Sequence, residues 1–422
     1  ITKYVTSKKL GKKTKNFRIR DWLISRQRFW GTPIPIIYCE DCGPVAVPEK
    51  DLPVELPTNI KFDSSENPLK KNKTFLEANC PKCGKKGRRE TDTMDTFVNS
   101  SWYYLRYCDS GNDKKIFNKS KVNYWAPVDT YIGGKEHACM HLIYIRFYTK
   151  FLRDLGLLNF DEPAVRLFNQ GMLHGEDGEK MSKSKGNVVL PESVSKEYGI
   201  DTARLFLISI ASPDKDIDWD VKGIEGSSRF LNKVFEKVSS LKISKTSARL
   251  SSKLNKTIKE VSSDIEEFKY NLAVIKLRSL FDAIEEISKK DLESALKLLS
   301  PFCPHIAEEL WSKIGGKGFI SLAKWPKVDE SKIDESFEKQ DLMVSKLIED
   351  INNISKIVPG KKKVFVYVLP NEKQDYLDNL ESIKVRTSIS DLTIYAVNDK
   401  DKKDPENKSK KVKPGRPGIH FE

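Results

Sequence analysis

The chain is 422 residues long, enough for two to four domains with sizeable cores. Apolar residues make up 38% and charged residues 32%, which suits a soluble protein with a large polar surface; no apolar run is long enough to cross a bilayer, and there is no signal-peptide pattern. Lysine and arginine number 74 against 60 aspartates and glutamates, and the resulting charge of +14 favours a polyanionic partner, nucleic acid first among them, although a lysine-rich surface alone gives the same excess.

The first residue is Ile1, and the segment 1–15 is polar and basic, so the chain is expected to start inside a longer parent or as a split subunit. In the stretch 17–35, Trp22, Leu23, Phe29 and Trp30 are interleaved with Arg18, Arg20, Arg26 and Arg28. Such a mix buries a helix against a core while its arginines face phosphate, or is an ordinary amphipathic helix ending at Gly31-Thr32-Pro33; the pattern leaves both open.

Cys39 and Cys42, then Cys80 and Cys83, form two CxxC-Gly knuckles. Each sets two thiolates on a tight turn, and two such turns close a four-sulfur zinc site of architectural role, with 53–75 as an excursion from it. Seven cysteines with four so paired argue for a reducing cytoplasm rather than a disulfide framework. Cys108, Cys139 and Cys303 read as packed small residues.

The stretch 90–107 alternates acids and threonines and then becomes densely aromatic, either a small-substrate pocket or, more commonly, core. In 128–142 a β-branched run ends at Gly133-Gly134, and a helix is expected near Glu136. Strand, glycine turn and helix N-terminus make a nucleotide-binding arrangement in open α/β sheets. His137 and His141 are spaced to share one helix face, where a packed or hydrogen-bonded pair is commoner than a metal site.

A buried strand is expected over 167–173, leading into a glycine-flanked loop that holds Lys180, Lys183 and Lys185 among Met181, Ser182 and Ser184. Mobile lysines suit a polyphosphate, while a solvated basic loop is the bland alternative. Beyond Gly223 the chain reads as helical, with Ile265, Phe268, Leu272, Ile275, Leu280, Ile284 and Ile287 as one core-facing stripe. Strands are expected at 364–369 and 392–397 with a helix at 372–380, followed by a basic tail at 399–416 that either touches RNA phosphates or is solvated disorder.

Several of these stretches resemble one family. Lys180-Met181-Ser182-Lys183-Ser184 resembles the KMSKS signature of class I aminoacyl-tRNA synthetases. The stretch 21–35 resembles the DWxxSRQRxWGxPIP segment that follows the editing insertion in leucyl-, isoleucyl- and valyl-tRNA synthetases. The stretches 90–107 and 131–144 resemble the ETDTxDTFxxSSWYYxRY and YIGGxEHAxxHLLY segments of leucyl-tRNA synthetases. The stretch 300–311 resembles the SPFxPHxxEELW segment of anticodon-binding bundles, where His305 is structural. The chain's ending resembles archaeal-type leucyl enzymes more than bacterial ones. Only 174–179 precede the signature, where many bacterial leucyl enzymes carry a long insertion.

The resemblance implies an α/β fold, the second half of a Rossmann-type class I synthetase catalytic domain, with a zinc module, an α-helical anticodon-binding bundle and a small α+β C-terminal domain. The expected boundaries are 1–35 for the re-entry segment, 36–90 for the zinc module, 91–211 for the catalytic half, 212–326 for the bundle and 327–422 for the C-terminal domain. It implies catalytic roles for Lys180 and Lys183, and ATP contacts for Gly133, Gly134, Glu136, His137, Gln170, Met172 and Lys183. The leucine pocket would be Val98, Ser101, Tyr104 and His141, framed by Asp92 and Asp95. Arg26, Arg28, Lys413 and Arg416 would meet tRNA. ATP with Mg2+, leucine, tRNA(Leu) and structural Zn2+ are the implied ligands, in the cytoplasm and away from membranes. The sequence contains no HIGH-type motif and no editing domain, so the chain is expected to be inactive alone and to need an N-terminal subunit. The rivals are a valyl- or isoleucyl-type fragment and a non-catalytic tRNA-binding protein built on a synthetase half.

Overall fold

The computed structural model describes residues 1–422 except 17, 19–21, 63–65, 359, 361 and 362, so Phe17 and Arg20 of the arginine-aromatic stretch lie outside the described residues. Two compact units make up the chain, Ile1–Met172 and Leu173–Glu422, and the division falls inside the 91–211 span.

The first unit opens on a short helix, Thr2–Ser7, and holds the cysteine module. Four short antiparallel strands lie in the order Gly43–Ala46, Ile36–Cys39, Lys86–Arg89, Glu77–Asn79. The strands approach so closely that a side chain at Gly87 would come within 2.8 Å of the Tyr38 carbonyl oxygen, which requires glycine there. The excursion between the knuckles is anchored by Leu69 and Phe75, both buried, and by Asn67, whose side-chain amide donates to the Thr91 carbonyl at 2.8 Å.

The stretch from 22 to 35 is not a helix. Ser25–Arg26 pairs antiparallel with Thr93–Met94, and Pro33 bridges to Thr93. The reason is the acid-threonine alternation of 90–95, whose side chains compete for this segment. Thr93 Oγ1 lies 3.0 Å from the Arg28 carbonyl and 2.8 Å from that of Trp30; Gln27 donates to Asp92 at 2.5 Å; Arg26 pairs with Asp95 at 2.5 Å. These long-range bonds override the helical period.

The remainder of the unit is a βαβ crossover. Val128–Gly134 and Ala164–Gln170 run parallel, joined by a 3-10 turn, Lys135–Cys139, and the helix His141–Asp154. Leu142, Ile145 and Leu152 of that helix pack with Leu105, Phe117 and Val122 into one core. The helix starts later than expected, because the backbone breaks at Met140, so His137 and His141 stand on different elements. The strand Ala164–Gln170 is not buried: Val165 is 77% and Leu167 51% exposed, because only one strand flanks it among the described residues. Cys139 is exposed rather than packed, on the open 3-10 turn, while Cys303 is buried.

In the second unit, Leu173–His174 pairs in parallel with Ile217–Asp218. The helices Ile200–Ser209, Val221–Ser240, Ala248–Glu266, Tyr270–Ala283, Lys289–Leu299 and Pro304–Lys313 share one large apolar core running from Leu205 to Ile320. Helix starts are marked by side-chain caps on Asp220, Ser247 and Ser288. The expected single stripe is broken at Phe268, whose φ of +60° ends one helix and resets the register of the next. Leu272 and Ile275 therefore face outward, and Ala273, Val274, Leu277, Leu280 and Phe281 form the buried face.

The C-terminal part carries a long helix, Glu335–Ile357, on a three-stranded sheet. Lys363–Val368 is central, parallel to Asp391–Ala396 and antiparallel to Gly418–Phe421. The basic stretch is thus not a loose tail. The strand that follows it closes the sheet, and within the stretch Asp404 holds the 3-10 turn Lys408–Lys411 by accepting from the Lys408 and Ser409 amides at 2.7 and 3.0 Å.

Candidate functional site

Cys39, Cys42, Cys80 and Cys83 bring their sulfurs within 4.8 Å of one another, and Cys39 Sγ lies 3.6 Å from Cys83 Sγ. A tetrahedral zinc with bonds near 2.3 Å needs sulfur–sulfur edges of about 3.8 Å, so the donor set fits that metal. Gly43 and Gly84, at φ of +70° and +75°, turn each knuckle back on itself. Burial raises the Cys80 thiol, but hydrogen bonds from the backbone amides of Cys83 and Lys82 outweigh it and draw it down to about 7. With all four positions taken by protein sulfur, the site would hold zinc as architecture.

At the carboxyl end of the parallel pair lies a cavity of about 240 Å³, lined by Tyr131, Ile132, Gly133, Gly134, His137, His141, Leu142, Leu167 and Asn169. Gly133 sits opposite Asn169 and Gly134 opposite Gln170. A side chain at Gly134 would collide with the Glu136 carboxylate at 2.3 Å. Gly134 thus leaves room for the Glu136 carboxylate at the strand end, whereas a side chain at Gly133 would meet nothing within 4 Å.

His141 forms one wall and is held at both nitrogens. Nδ1 is 3.0 Å from Ser100 Oγ and Nε2 is 3.0 Å from the Tyr131 hydroxyl, which accepts from Tyr103 at 3.1 Å. Because Tyr103 donates to Tyr131, the Tyr131 proton points to Nε2, and Nδ1–H donates to Ser100. Burial, and then neighbouring His137, lower the His141 pKa, which keeps the ring neutral. Phe97 packs beside both imidazoles, its ring centroid 6.1 Å from that of His137 and 5.9 Å from that of His141.

The residues around His141 are therefore Phe97, Ser100 and Tyr103, one position before those expected. Val98, Ser101 and Tyr104 are buried. The Ser101 hydroxyl bonds the Phe97 carbonyl, and the Tyr104 hydroxyl meets Thr149 at 2.9 Å. Sequence reasoning also missed Tyr131 and Asn169. Alternation along the strand was the available signal: Leu167 and Asn169 share the cavity face, which places Gln170 on the opposite one. Met172 follows the end of the strand and does not line the cavity.

The lysine loop belongs to the second unit. Gly175 N–H donates to the Glu179 carbonyl at 2.8 Å, Gly178 turns at φ of +72°, and His174 bridges to Lys180. Asn187 organises the far side, accepting from the Ser182 amide at 2.9 Å and donating to Asp177 at 3.1 Å. Lys185 is tied to Glu179 at 2.9 Å, whereas Lys183 is exposed at the tip.

Of the residues expected at RNA, Arg26 is directed inward. It donates to the Leu23 and Ser25 carbonyls at 2.7 and 2.8 Å and pairs with Asp95, which also caps the helix Thr96–Asn99. Arg28 stacks 3.7 Å above Trp30. Lys413 and Arg416 flank a tight exposed turn whose Gly415 amide donates to Glu372 at 2.9 Å.

Residues 3–220 match the family described as tRNA synthetases class I (I, L, M and V), and residues 248–368 match the anticodon-binding domain of tRNA ligase. The chain is 46% identical over 360 residues to a leucine–tRNA ligase of Petrotoga mobilis, covering 78% of this chain and 43% of that protein. It is 48% identical over 355 residues to one of Geotalea daltonii, with 78% and 43% covered. A LeuRS of Agrobacterium radiobacter K84, solved in a ternary complex with tRNA and LeuAMS, aligns at a TM-score of 0.71 and 31% identity over 94% of this chain and 54% of that one. The chain thus spans less than half the length of the curated relatives it matches.

Proposed function

Because the chain belongs to the class I tRNA synthetases, on their leucyl branch, we propose that it carries the KMSKS-bearing part of a leucine–tRNA ligase. The reaction would join leucine and ATP as leucyl-adenylate with release of pyrophosphate, then transfer leucine to tRNA(Leu). The observation that carries this reading is the cavity at the glycine-ended strand pair, where open α/β folds bind nucleotides.

In the first step the leucine carboxylate oxygen attacks the α-phosphorus, and the bond to the β-phosphate bridging oxygen breaks. No side chain need act as a covalent nucleophile; positioning and charge neutralisation suffice. The Lys183 and Lys180 ammoniums would meet the negative charge gathering on the departing pyrophosphate, which Mg2+ carried in with ATP would help to neutralise. Gly133, Gly134, Glu136 and His137 would hold the adenosine. Phe97, Ser100, Tyr103 and neutral His141 would form an uncharged wall for the leucine side chain. Arg28, Lys413 and Arg416 remain the tRNA contacts of this reading, with Arg26 bracing the segment that presents Arg28.

Charging is expected to require a HIGH-bearing portion beyond these 422 residues, supplied on the same or a separate polypeptide, in a reducing cytoplasm that keeps the four thiols available for zinc. The test is to mix the purified chain with a separately made N-terminal half and measure tRNA(Leu) charging. Activity of the mixture and none of the chain is expected; robust charging by the chain alone refutes the requirement. A mixture that binds tRNA yet never charges it would favour the non-catalytic reading.

A further inference from the structure

We infer that Phe319 is a stacking platform for an unpaired base of bound tRNA, an assignment that rests on the tRNA binding proposed above and adds a contact on the helical bundle. The stretch 314–326 leads from the helix Pro304–Lys313 toward the long helix Glu335–Ile357, and its backbone is braced at several points. Ile320 is 3% exposed, and its amide donates to both oxygens of Glu308 at 3.1 Å. Trp311 Nε1 donates to the Gly318 carbonyl at 3.1 Å, and a Cβ built on Gly316 would meet the Trp311 ring at 2.3 Å. Trp325 Nε1 donates to Ser262 Oγ at 2.8 Å.

From this braced loop two large apolar side chains project into solvent: Phe319 is 66% and Leu322 81% exposed. The Leu322 amide donates to the Phe319 carbonyl at 3.1 Å across the 3-10 turn Ile320–Leu322. Residues three apart eclipse in such a turn, so the two share one face. With the backbone already fixed, little ordering cost remains for a partner to meet. The surrounding charge selects that partner. From 310 to 328 the sequence holds four lysines and no acid. Lys317, Lys324 and Lys327 are exposed and form no ion pair among the described residues. Glu308, an acid that does reach the loop, is turned onto the Ile320 amide. A fixed aromatic ring among such lysines suits an RNA with open bases: ammoniums meet the phosphates while the ring takes the face of a base. A protein partner without acidic groups would leave the three lysines unmatched.

The test is equilibrium binding of a tRNA(Leu) transcript to the purified chain and its Phe319 variants. Phe319→Ala should weaken binding by about tenfold, the scale of one base stacked on an aromatic side chain. Phe319→Tyr should bind like the wild type, whereas Phe319→Leu should behave like the alanine variant, which separates stacking from simple apolar contact. Because the ring carries no charge, Phe319→Ala should leave the salt slope unchanged, while Lys317→Gln combined with Lys324→Gln and Lys327→Gln should lower it. The side chain is exposed, so all Phe319 variants should melt like the wild type. Wild-type affinity in Phe319→Ala, or in Phe319→Leu, overturns the inference and leaves tRNA binding standing; the first result would assign this face to a protein partner instead. If the wild-type chain does not bind the transcript, the tRNA reading itself falls and takes the inference with it.

Discussion

At the scale of single residues, the first unit is held by side chains that the sequence presents as free charges. Arg26 looks like a phosphate contact, but its guanidinium is shared between Asp95 and two backbone carbonyls. Asp95 is 7% exposed, so removing its cation leaves a nearly buried carboxylate. Arg26→Ala should lower the unfolding free energy by about 1–3 kcal/mol, at the weaker end of a broken buried pair because Arg26 is itself partly solvated. Urea denaturation of the two chains checks this, and an unchanged midpoint would return Arg26 to the surface. His141 makes a pH-dependent contribution. Its folded pKa is depressed, while in the unfolded chain it titrates near 6.5. Between the two values the unfolded chain holds a proton that the folded chain does not. The contribution is therefore complete above about pH 6.5 and declines as pH falls toward the folded value. His141→Gln should flatten the stability curve between pH 7 and 5, and ring nitrogen shifts should show the neutral form of wild-type His141 predominating at about pH 6.5.

At the scale of elements, the cysteine module and the helix braces carry separate expectations. The module's four strands are two to four hydrogen-bonded pairs each, too small to bury a core of their own. Metal binding is thus expected to supply its folding energy. Atomic emission should find one zinc per chain, and Cys80→Ser should lose the metal and open the 36–90 region to limited proteolysis with the helical bundle still folded. In the bundle, Asp201 is 4% exposed and accepts from the Ile306 amide at 2.7 Å, with His305 Nδ1 at 2.9 Å. One carboxylate thus caps the helix Pro304–Lys313 from a neighbouring helix. Asp201→Ala should cost about 1–3 kcal/mol, read from thermal or urea unfolding. The ion pairs Lys256–Glu338 and Lys259–Glu330, by contrast, are one-third to three-fifths exposed. Double-mutant cycles there should return less than about 1 kcal/mol of coupling each.

At the scale of the whole molecule, the charge of +14 makes the proposed tRNA binding testable through its salt dependence. Affinity should fall steeply with salt, and Lys413→Ala with Arg416→Ala should reduce the slope of the logarithmic salt plot by roughly one for each phosphate left without its cation. A filter-binding series from low to high salt measures it, and an unaltered slope would remove that turn from the interface. Much of the architecture is legible in the sequence, because its signals are local. CxxC-Gly spacing, a β-branched run ending in two glycines and a lysine-rich loop each name their own structure within about twenty residues. What could not be read were choices made between distant segments. The stretch from 22 to 35 has a helical pattern but is drawn out by hydrogen bonds to 90–95. The stripe through Leu272 and Ile275 keeps its period, yet one left-handed residue turns it outward. The segment that follows a basic stretch of unfolded appearance finds an open sheet edge and becomes its third strand. Around His141, a single residue of phase decides whether Ser100 or Ser101 reaches the imidazole, and propensity does not carry phase. By itself the sequence determined which chemistries the chain holds and in what order, since these are properties of residue type and spacing. Only the tertiary structure decided which side chains face the cavity and which brace the core, because burial and hydrogen-bond partners far along the chain outweigh local preference.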